Sequence, residues 1–557
     1  MMNPMTHPML TKHRDKLDAA TAAINTREYY SAYPESPSPR VYGETAAADG
    51  KAEFEALLGK KFDLDLPGAV DHVATEVSPF GIDMGVDYPR ARPDTLIEAA
   101  RAAWPAWRDA DPGTRAGVCV EILDRIHAHV FTLANAVHAT TGQAFVMAFQ
   151  AGGPHALDRG LEAVAYGYQE QLRTPATARW EKPAKGEPLV MDKRFHVVPR
   201  GVGLVIGCNT FPTWNSYPGL FASLVTGNPV IVKPHPHAVL PLALTVKYAR
   251  EVLAEAGFDP NLVTLAAENP DDRIAADLAT DSRVRIVDYT GSTQFGDWLE
   301  ANARQAHVYT EKAGVNTIVI DSTDDFKGMC RNLAFTLCLY SGQMCTTSQA
   351  IFIPEGGIET PEGRLSVDEV IAGIAGAVEK STSDPARAVE LIGAIASTQG
   401  VERIEAAAKT GEVVLASRKL DHPTYPGARV HTPLLVKVPG DAKKVYGTEC
   451  FGPITYLVVT ADTEQSLRLA GEVVADQGAL TMGVYSTDES VLDAAERTAL
   501  DVAVHLSCNL TGGVFVNQSA AFSDFHGSGG NAAANAALTT PHYVSGRFTI
   551  VQSRRHV

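Results

Sequence analysis

Residues Gly201–His237 read GVGLVIGCNTFPTWNSYPGLFASLVTGNPVIVKPHPH, and this stretch decides the class of fold. The apolar run Val202–Gly207 predicts a strand, a helix-length segment follows, and Pro229–Val232 predicts a second strand leading into Lys233. A strand, a helix and a strand of these lengths make a βαβ unit, which places both strands in a parallel sheet. Because ligands bind at the carboxyl ends of such strands, Lys233 is positioned to hold a ribose hydroxyl or a phosphate. A lysine after a strand is also common without any such role.

The alternation of strands and helices continues towards the C-terminus. Strands are predicted at Val263–Leu265, Ile286–Tyr289, Val315–Ile320 and Thr455–Val459, each followed or preceded by helical sequence. A chain of 557 residues is also too long for a single core. We therefore predict two α/β domains with doubly wound parallel sheets, the second beginning after about residue 310.

Bulk properties disfavour several classes of protein. The net charge is −17 and the only basic block is Arg554-Arg555-His556, which argues against nucleic-acid and anionic-membrane partners. No apolar run is long enough for a membrane span, and the N-terminal stretch has no apolar signal core. The seven cysteines are scattered without a CxxC pair, as is typical of a reducing compartment. We expect a cytoplasmic protein that binds no metal.

A thiol suited to nucleophilic chemistry occurs in LYSGQMCTT, Leu339–Thr347. The preceding segment Phe326–Leu339 has helical spacing, so a helix is expected to deliver Cys345 to a turn. A thiolate is intrinsically reactive, although a lone cysteine is more often an inert core residue. Glu311 lies 34 residues before Cys345 and also borders an α/β element. A thiol and a carboxylate base are the pair needed to form a thioester and then hydrolyse it.

Two further stretches contain residues suited to binding a nucleotide. In TGSTQFG, Thr290–Gly296, Gly291 permits close approach of the backbone and Ser292 can cap a helix whose N-terminus favours phosphate. This pattern is not GxGxxG, and an ordinary strand-to-helix turn explains it equally well. In TECFGP, Thr448–Pro453, the carboxylate of Glu449 is by itself best explained as part of an exposed turn.

Taken in order, TGSTQFG, EKAG, GQMC and ECFGP resemble the TGS-x-x-x-G, E-L-G-G, G-Q-x-C and E-x-F-G-P landmarks of the aldehyde dehydrogenase superfamily. The likeness spans about residues 95–550, and the ordered set is far more specific than any single member. Within the superfamily, Gly207–Pro236 and Asp524–Ala537 resemble the branch that acts in phenylacetate degradation. The resemblance implies a nucleophile at Cys345, a general base at Glu311, adenosine-ribose binding at Lys233, nicotinamide-ribose binding at Glu449 beside Phe451, and pyrophosphate binding at Gly291 and Ser292.

The resemblance also implies how the domains are arranged and how copies assemble. The expected parts are an N-terminal extension at 1–90, a cofactor domain at 91–308, a catalytic domain at 309–525 and a C-terminal oligomerisation tail at 526–557. A hairpin at about 175–200 and a terminal strand at Arg547–Gln552 resemble the β arm through which the family oligomerises. A homodimer or homotetramer is therefore expected.

One departure from the family pattern concerns the group that would hold the oxyanion. The family places an asparagine directly before Phe-Pro, but here Thr210 precedes Phe211 and the asparagine is one position earlier, at Asn209. Either Asn209 reaches the site through a rearranged turn, or the hydroxyl of Thr210 donates instead. Loss of one oxyanion donor lowers the rate by about 10²–10³.

A second departure concerns the cofactor. Relatives that prefer NAD commonly have a glutamate three residues after the lysine, where this chain has Pro236 flanked by His235 and His237. Removing that carboxylate beside two potential donors favours a 2′-phosphate. The sequence therefore predicts NADP, with NAD as the other candidate, although both histidines could equally be surface loop residues.

The implied reaction is oxidation of a small-molecule aldehyde to an acid through a cysteine thioester. The substrate expected for the phenylacetate branch is a ring-opened semialdehyde that carries coenzyme A. The predicted pocket has an apolar and aromatic lining, although core packing explains each of its residues equally well: Phe211, Trp214, Tyr340, Met344 and Phe522.

Three alternatives to this reaction remain open at the level of sequence. The acylating branch of the superfamily uses coenzyme A in the last step and typically lacks the glutamate found here at Glu311. A thiol hydrolase or acyltransferase would not need the nucleotide-binding set that includes Lys233, Gly291 and Glu449. A catalytically silent scaffold is favoured only by the shift at Asn209-Thr210.

Overall fold

The computed structural model describes residues 7–312 and 314–557. The first six residues of the predicted N-terminal extension and Ala313 of the EKAG stretch lie outside the described residues. None of the helices in these two ranges has the length and apolarity that crossing a membrane requires.

The N-terminal part is mainly helical. Its elements are α1 (Pro8–Thr26), α2 (Pro39–Tyr42), α3 (Ala46–Glu55), β1 (Ala69–Val73), β2 (Tyr88–Ala91), α4 (Pro93–Asp109), α5 (Pro112–Ala128), α6 (Val130–Thr141), α7 (Phe145–Gly152) and α8 (Pro154–Leu172). Helix α1 packs on α5 and α8, and its apolar face belongs to the same core as the first sheet. The predicted extension therefore shares its core with the domain that follows it. The antiparallel pair of β1 and β2 also spans the expected boundary at residue 90.

The first large sheet has five parallel strands in the order β7-β6-β5-β8-β9. Its elements are β5 (Val202–Ile206), α9 (Pro212–Val225), β6 (Val230–Lys233), α10 (Leu240–Glu255), β7 (Val263–Leu265), α11 (Ala275–Thr280), β8 (Val284–Thr290), α12 (Thr293–Asn302) and β9 (His307–Glu311). The strands predicted around Val202, Val230 and Val263 are confirmed, and none of their ends differs from the prediction by more than one residue. The expected domain boundary at 308/309 is wrong, because β9 pairs in parallel with β8 as far as Glu311.

The second large sheet has seven strands in the order β14-β17-β18-β11-β10-β19-β20, all parallel except for β14 at one edge. Its first elements are β10 (Asn316–Ile320), α13 (Phe326–Cys338), β11 (Ser348–Pro354), β12 (Ile358–Thr360), β13 (Gly363–Leu365), α14 (Val367–Ser381), α15 (Pro385–Ile392), α16 (Thr398–Ala407) and β14 (Glu412–Leu415). The remainder are β15 (Lys419–Leu420), β16 (Val430–His431), β17 (Leu434–Pro439), α17 (Lys443–Tyr446), β18 (Ile454–Thr460), α18 (Thr463–Gln477), β19 (Thr481–Tyr485), α19 (Glu489–Asp501) and β20 (His505–Cys508). The predicted α/β class with two parallel-sheet units is confirmed.

A third, antiparallel sheet links the middle of the chain to its end. It consists of β3 (Thr177–Lys182), β4 (Leu189–Pro199) and β21 (Phe548–His556), which follows α20 (Pro541–Ser545). The terminal strand, expected at Arg547–Gln552, pairs with β4 over nine residues, from Phe548 opposite Pro199 to His556 opposite Met191.

The segment Tyr29–Gly50 is partly helical, although it is rich in Tyr, Pro and Ser. Helix α3 begins at Ala46, and Gly50 lies so close to α6 that a Cβ there would be 2.4 Å from Phe131 Cβ. Packing of α3 on α6 therefore outweighs the weak local signal of this Tyr-, Pro- and Ser-rich segment.

Candidate active site

The turn that carries Cys345 is held in an unusual conformation. After α13 ends at Cys338, the residues Tyr340, Ser341 and Gly342 have positive φ values of 51°, 52° and 61°. For a non-glycine residue this conformation costs about 1–3 kcal/mol, and such strain clusters at functional sites. The Tyr340 hydroxyl donates to Thr141 O at 2.6 Å, so a contact from α6 helps to hold the turn.

Two buried side chains and one half-buried thiol converge at this turn. The sulfur of Cys345, the carboxylate of Glu311 and the imidazole of His526 have polar atoms within 4.8 Å of one another. His526 Nε2 lies 3.6 Å from Cys345 Sγ and 3.3 Å from Glu311 Oε2. Glu311 ends β9 of the first sheet, Cys345 follows α13 of the second, and His526 lies in the C-terminal segment. The structure thus brings together the predicted thiol and carboxylate and adds a histidine.

The charges of the cluster suit a base beside a protonated thiol. Burial acts to raise the pKa of Glu311, but the charge of His526 and hydrogen bonds from His526, Cys345 and Asn215 outweigh it and lower the pKa below its ordinary value. Asn215 Nδ2 donates to both carboxylate oxygens at 3.3 Å. Burial, and then the negative charge of Glu311, raise the pKa of Cys345 well above its ordinary value. A proton acceptor is therefore needed to form the thiolate.

Four of the five predicted pocket residues lie in one small cluster beside the thiol. Phe211, Trp214, Tyr340 and Met344 pack together there, with the rings of Phe211 and Tyr340 edge to face at 5.6 Å. Phe522 is not part of this cluster, because its ring is fully buried in the larger core and packs edge to face on Tyr30 at 4.9 Å.

The two candidate oxyanion donors lie in the turn between β5 and α9. Thr210 O accepts from Gln143 Nε2 at 2.8 Å. Within residues 7–312 and 314–557, the buried Oδ1 of Asn209 has no hydrogen-bond partner. That oxygen is an acceptor and cannot hold an oxyanion, so Asn209 would have to use its Nδ2 N–H groups for that role. Which of Asn209 and Thr210 serves the oxyanion stays a prediction.

The predicted ribose-binding lysine has a carboxylate partner that the sequence pattern concealed. Lys233, at the end of β6, forms a buried ion pair with Glu268, which follows β7, the neighbouring strand. Glu268 is 3% exposed, and its Oε2 also accepts from the backbone N–H of Ile274 at 3.0 Å. Burial lowers the pKa of His235 to about 3, so this histidine is neutral at pH 7. The prediction of NADP rested on two premises: that no carboxylate lies beside Lys233, and that a histidine donates to the 2′-phosphate. The structure supports neither premise.

Gly291 and Ser292 lie at the carboxyl end of β8, where the sequence analysis placed them. A Cβ at Gly291 would lie 2.4 Å from the hydroxyl of Tyr289, so only glycine fits beside that ring. The Ser292 hydroxyl caps α12 by accepting from Phe295 N. The carboxyl ends of β6, β7 and β8 thus present a lysine, a carboxylate and an open helix N-terminus, which is a set of groups that fits a dinucleotide.

Glu449 and Phe451 reach the same cavity as the thiol. One cavity is lined by Met344 and Cys345 on one side and by Glu449 and Phe451 on the other. The loop is fixed because Arg403 Nε donates to Phe451 O at 2.9 Å. Burial, opposed by the charge of Arg403, raises the pKa of Glu449 to about 7. A half-protonated carboxyl here suits hydrogen bonding to a neutral hydroxyl.

Sequence reasoning missed His526, Glu268 and Asn215. His526 lies in the Gly- and Ala-rich stretch Asp524–Ala537, which carries no periodic signal, and 181 residues separate it from Cys345. Glu268 becomes adjacent to Lys233 only because β6 and β7 are neighbours in the sheet. The order of parallel strands would have identified Glu268, whereas local sequence could not have identified His526.

Comparison with known proteins agrees with this geometry. Residues 86–538 match the aldehyde dehydrogenase family, and the chain belongs to that family. It is an enzyme of this class, as the ordered motifs predict.

The chain resembles a solved NAD-dependent aldehyde dehydrogenase from Burkholderia multivorans at 57% identity and a TM-score of 0.98, over 99% of this chain and all of that one. A 1-pyrroline-5-carboxylate dehydrogenase from Thermus with bound NAD shares the fold at 20% identity and a TM-score of 0.75, over 95% and 99% of the two chains. An N-succinylglutamate 5-semialdehyde dehydrogenase from Chromobacterium violaceum is 25% identical over 72% of this chain and 78% of its own. The chain spans about half of a putative aldehyde dehydrogenase family 7 member A1 homolog from Caenorhabditis elegans, at 26% identity, with 52% of this chain and 53% of that one covered.

Proposed function

We propose that this protein oxidises an aldehyde to a carboxylic acid, with a nicotinamide dinucleotide as the hydride acceptor. The observation that carries the proposal is the pair of a half-buried thiol, Cys345, and a buried, charged carboxylate, Glu311, with polar atoms within 4.8 Å of each other. A nucleophile and a base at this separation can form and then hydrolyse a thioester.

The residues of the chain act in two stages. In the first stage the thiolate of Cys345 adds to the aldehyde carbon, and the oxygen that becomes negative is held by N–H donors of the turn and by Asn209 or Thr210. A nicotinamide dinucleotide would supply the acceptor for the hydride, and the residues that would hold it are Lys233, Glu268, Gly291, Ser292 and Glu449. In the second stage Glu311, oriented by Asn215, takes a proton from the water that attacks the thioester.

Hydrolysis is favoured over transfer to coenzyme A by the position of Glu311. Its carboxylate is buried, held by Asn215, and has a pKa below its ordinary value, so it is ready to accept a proton from water. An acylating enzyme, which releases its product to a thiol, would not need this base.

For the substrate we propose an aldehyde of aromatic catabolism, as in the phenylacetate-degradation enzyme usually called PaaN. Support comes from the resemblance of Gly207–Pro236 and Asp524–Ala537 to that enzyme and from the aromatic cluster of Phe211, Trp214 and Tyr340 beside the thiol. A ring-opened semialdehyde linked to coenzyme A is the specific candidate.

For the cofactor we propose NAD in place of the NADP that the sequence favoured. The carboxylate of Glu268 beside Lys233 would accept a hydrogen bond from a ribose 2′-hydroxyl and would repel a 2′-phosphate. We also propose a homo-oligomer and a cytoplasmic location, the latter supported by seven free cysteines.

The proposal is tested by mixing enzyme with NAD and a panel of aliphatic, aromatic and coenzyme-A-linked aldehydes. We expect steady NADH formation by the wild type and none by Cys345→Ala. Glu311→Gln should form a single burst of NADH equal to the enzyme concentration, because in this variant acylation proceeds and hydrolysis does not. His542→Gln, an exposed change in the tail, is the control.

Product analysis separates hydrolysis from acyl transfer. Free acid from the wild type without added coenzyme A supports hydrolysis. A coenzyme A thioester that forms only when free coenzyme A is present would show that the enzyme transfers the acyl group to coenzyme A and does not hydrolyse the thioester.

A further inference from the structure

We propose that His526 is a catalytic residue that accepts the proton of the Cys345 thiol, leaving Glu311 free to act on water. The inference rests on the proposed function, because it assigns a further role within the same site. Its basis is the position of His526 Nε2, 3.6 Å from Cys345 Sγ and 3.3 Å from Glu311 Oε2.

The imidazole is fixed in this position from every side. Its other nitrogen, Nδ1, lies 3.3 Å from the hydroxyl of Ser519, and Trp214 packs edge to face on the ring at 4.5 Å. The backbone of His526 exchanges two hydrogen bonds with Leu538, at 3.0 and 3.2 Å. His526 is 5% exposed, so its ring cannot swing into solvent without breaking these contacts.

The groups around His526 decide which of its ring nitrogens faces the thiol. Glu311, at the end of β9, supplies the negative charge at Nε2. Arg159, on α8, donates to the Ser519 hydroxyl at 3.1 Å and lies over the Trp214 ring, and its charge is balanced by the buried Glu162 at 2.9 Å. Because Arg159 occupies one lone pair of Ser519, the second lone pair remains to accept from Nδ1–H of His526. With Nδ1 protonated in this way, Nε2 is the nitrogen that gains the thiol proton, and the N–H formed there then donates to Glu311 Oε2.

A separate acceptor keeps Glu311 charged through both stages of the reaction. If Glu311 took the thiol proton, it would be neutral when the thioester forms and could not deprotonate water until it had lost that proton. Burial and Glu311 both oppose ionisation of Cys345, whose pKa is well above its ordinary value, so the thiolate needs a cation next to it. The imidazolium of His526 supplies that cation.

The protons balance over the whole reaction. The S–H bond of Cys345 breaks and an N–H bond forms at His526 Nε2, which gives a thiolate and an imidazolium. The thiolate adds to the aldehyde, and hydride departure leaves a neutral thioester beside the charged pair of His526 and Glu311. Glu311 then takes one proton from water, and collapse of the adduct releases the acid and restores the thiolate. The proton on Glu311 and the proton of the acid leave to solvent, which accounts for both protons of aldehyde oxidation.

The test measures the thiolate directly and needs no cofactor. The rate of Cys345 alkylation by iodoacetamide is followed from acid to alkaline pH in the wild type, His526→Gln and His542→Gln, with Cys345→Ser as the blank. For the wild type and His542→Gln we expect measurable alkylation at neutral pH, because His526 accepts the thiol proton. For His526→Gln we expect a rate near neutrality lower by about 10²-fold, which recovers only at alkaline pH.

A second measurement guards against simple misfolding of the variant. The ultraviolet absorbance of the thiolate, taken as the difference between each protein and its Cys345→Ser counterpart, is titrated in samples whose thermal unfolding matches the wild type. His526→Asn is measured in parallel. A thiolate signal that moves to higher pH in both variants supports proton transfer to His526.

Several results would overturn the inference. One is an unchanged alkylation profile and thiolate titration in His526→Gln. Another is stoichiometric zinc in the purified wild type that is lost in the variant, because thiol, imidazole and carboxylate are also zinc ligands. If the wild type oxidises aldehydes while these profiles coincide, only the role of His526 fails. If the wild type forms no NADH with any aldehyde, the proposed function itself fails.

Discussion

At the scale of single residues, Glu268 shows how a sheet can place a carboxylate that the local sequence has lost. Pro236 occupies the position three residues after Lys233 where NAD-preferring relatives commonly have a glutamate. The structure supplies a carboxylate from the next strand instead, and it is buried against Lys233. The charge near the ribose site is therefore the opposite of what the loop KPHPH suggests.

We predict that Glu268→Gln shifts the enzyme towards NADP by at least about ten-fold in the ratio of kcat/KM values, or about 1.4 kcal/mol. Glutamine keeps an acceptor for Lys233 but removes the charge that would repel a 2′-phosphate. Titration of NADH and NADPH fluorescence checks the same preference in binding. Asp271→Asn, an exposed acid of the same loop, is the matched control and should leave the ratio unchanged. An unchanged ratio in Glu268→Gln would show that this carboxylate does not discriminate between a ribose 2′-hydroxyl and a 2′-phosphate.

The residues that sequence could and could not identify differ in a physical way. Cys345 and Glu311 stand in local motifs with a fixed relation to a strand or a helix, so the motif order was enough to single them out. His526 and Asn215 matter because of contacts across 181 and 96 residues, and Phe522 was misplaced because its backbone, at φ 67°, turns the ring towards Tyr30. Contacts of that kind depend on tertiary packing, which a single sequence does not encode locally.

At the scale of elements, the end of the chain is joined to the first sheet by a buried ion pair. Arg547, directly before β21, donates to both oxygens of Asp288 in β8, at 2.8 and 2.6 Å. Tyr543 adds a hydrogen bond to Asp288 at 2.7 Å, and Arg547 also donates to Ser223 of α9. The sequence predicted a terminal strand but not this connection, because an arginine beside a strand gives no sign of its distant partner.

We predict that Arg547→Met destabilises the protein by about 3–5 kcal/mol, because it leaves the carboxylate of Asp288 buried and unpaired. Chemical unfolding followed by circular dichroism measures the change. Arg555→Met, an exposed change further along β21, should stay within about 0.5 kcal/mol of the wild type. Adding Asp288→Asn to Arg547→Met should recover part of the loss, since it removes the unpaired charge. Equal effects of the two arginine changes would contradict this account.

At the scale of the whole molecule, the N-terminal helix is part of the main core and is not an appendage. Leu17 is fully buried where α1 packs on α5 and α8, and α8 carries Arg159, which holds the loop of His526 through Ser519. The sequence does not show where this helix packs, because the apolar face of an amphipathic helix does not identify the surface that it covers.

We predict that Leu17→Ala costs about 2–5 kcal/mol, through lost burial and the cavity left behind. Asp18→Ala, an exposed change on the same helix, is the control and should have little effect. Thermal unfolding measures both variants. If residues 7–26 were an independent extension, Leu17→Ala would leave the main transition unmoved.

The antiparallel arm predicts the assembly of the whole molecule. Its last strand, β21, pairs with β4 on one side and presents its other edge and the exposed side chains of Ile550 and Val551. A long strand with a free edge and apolar side chains pairs readily with another chain.

We predict that the wild type is a dimer or tetramer by light scattering after gel filtration. Ile550→Lys with Val551→Lys should shift it towards monomer, because charge on an edge strand opposes pairing. Val413→Lys, at an exposed apolar site on β14, is the control and should keep the wild-type mass. A monomeric wild type, or a double variant of unchanged mass, would show that β21 is not the interface.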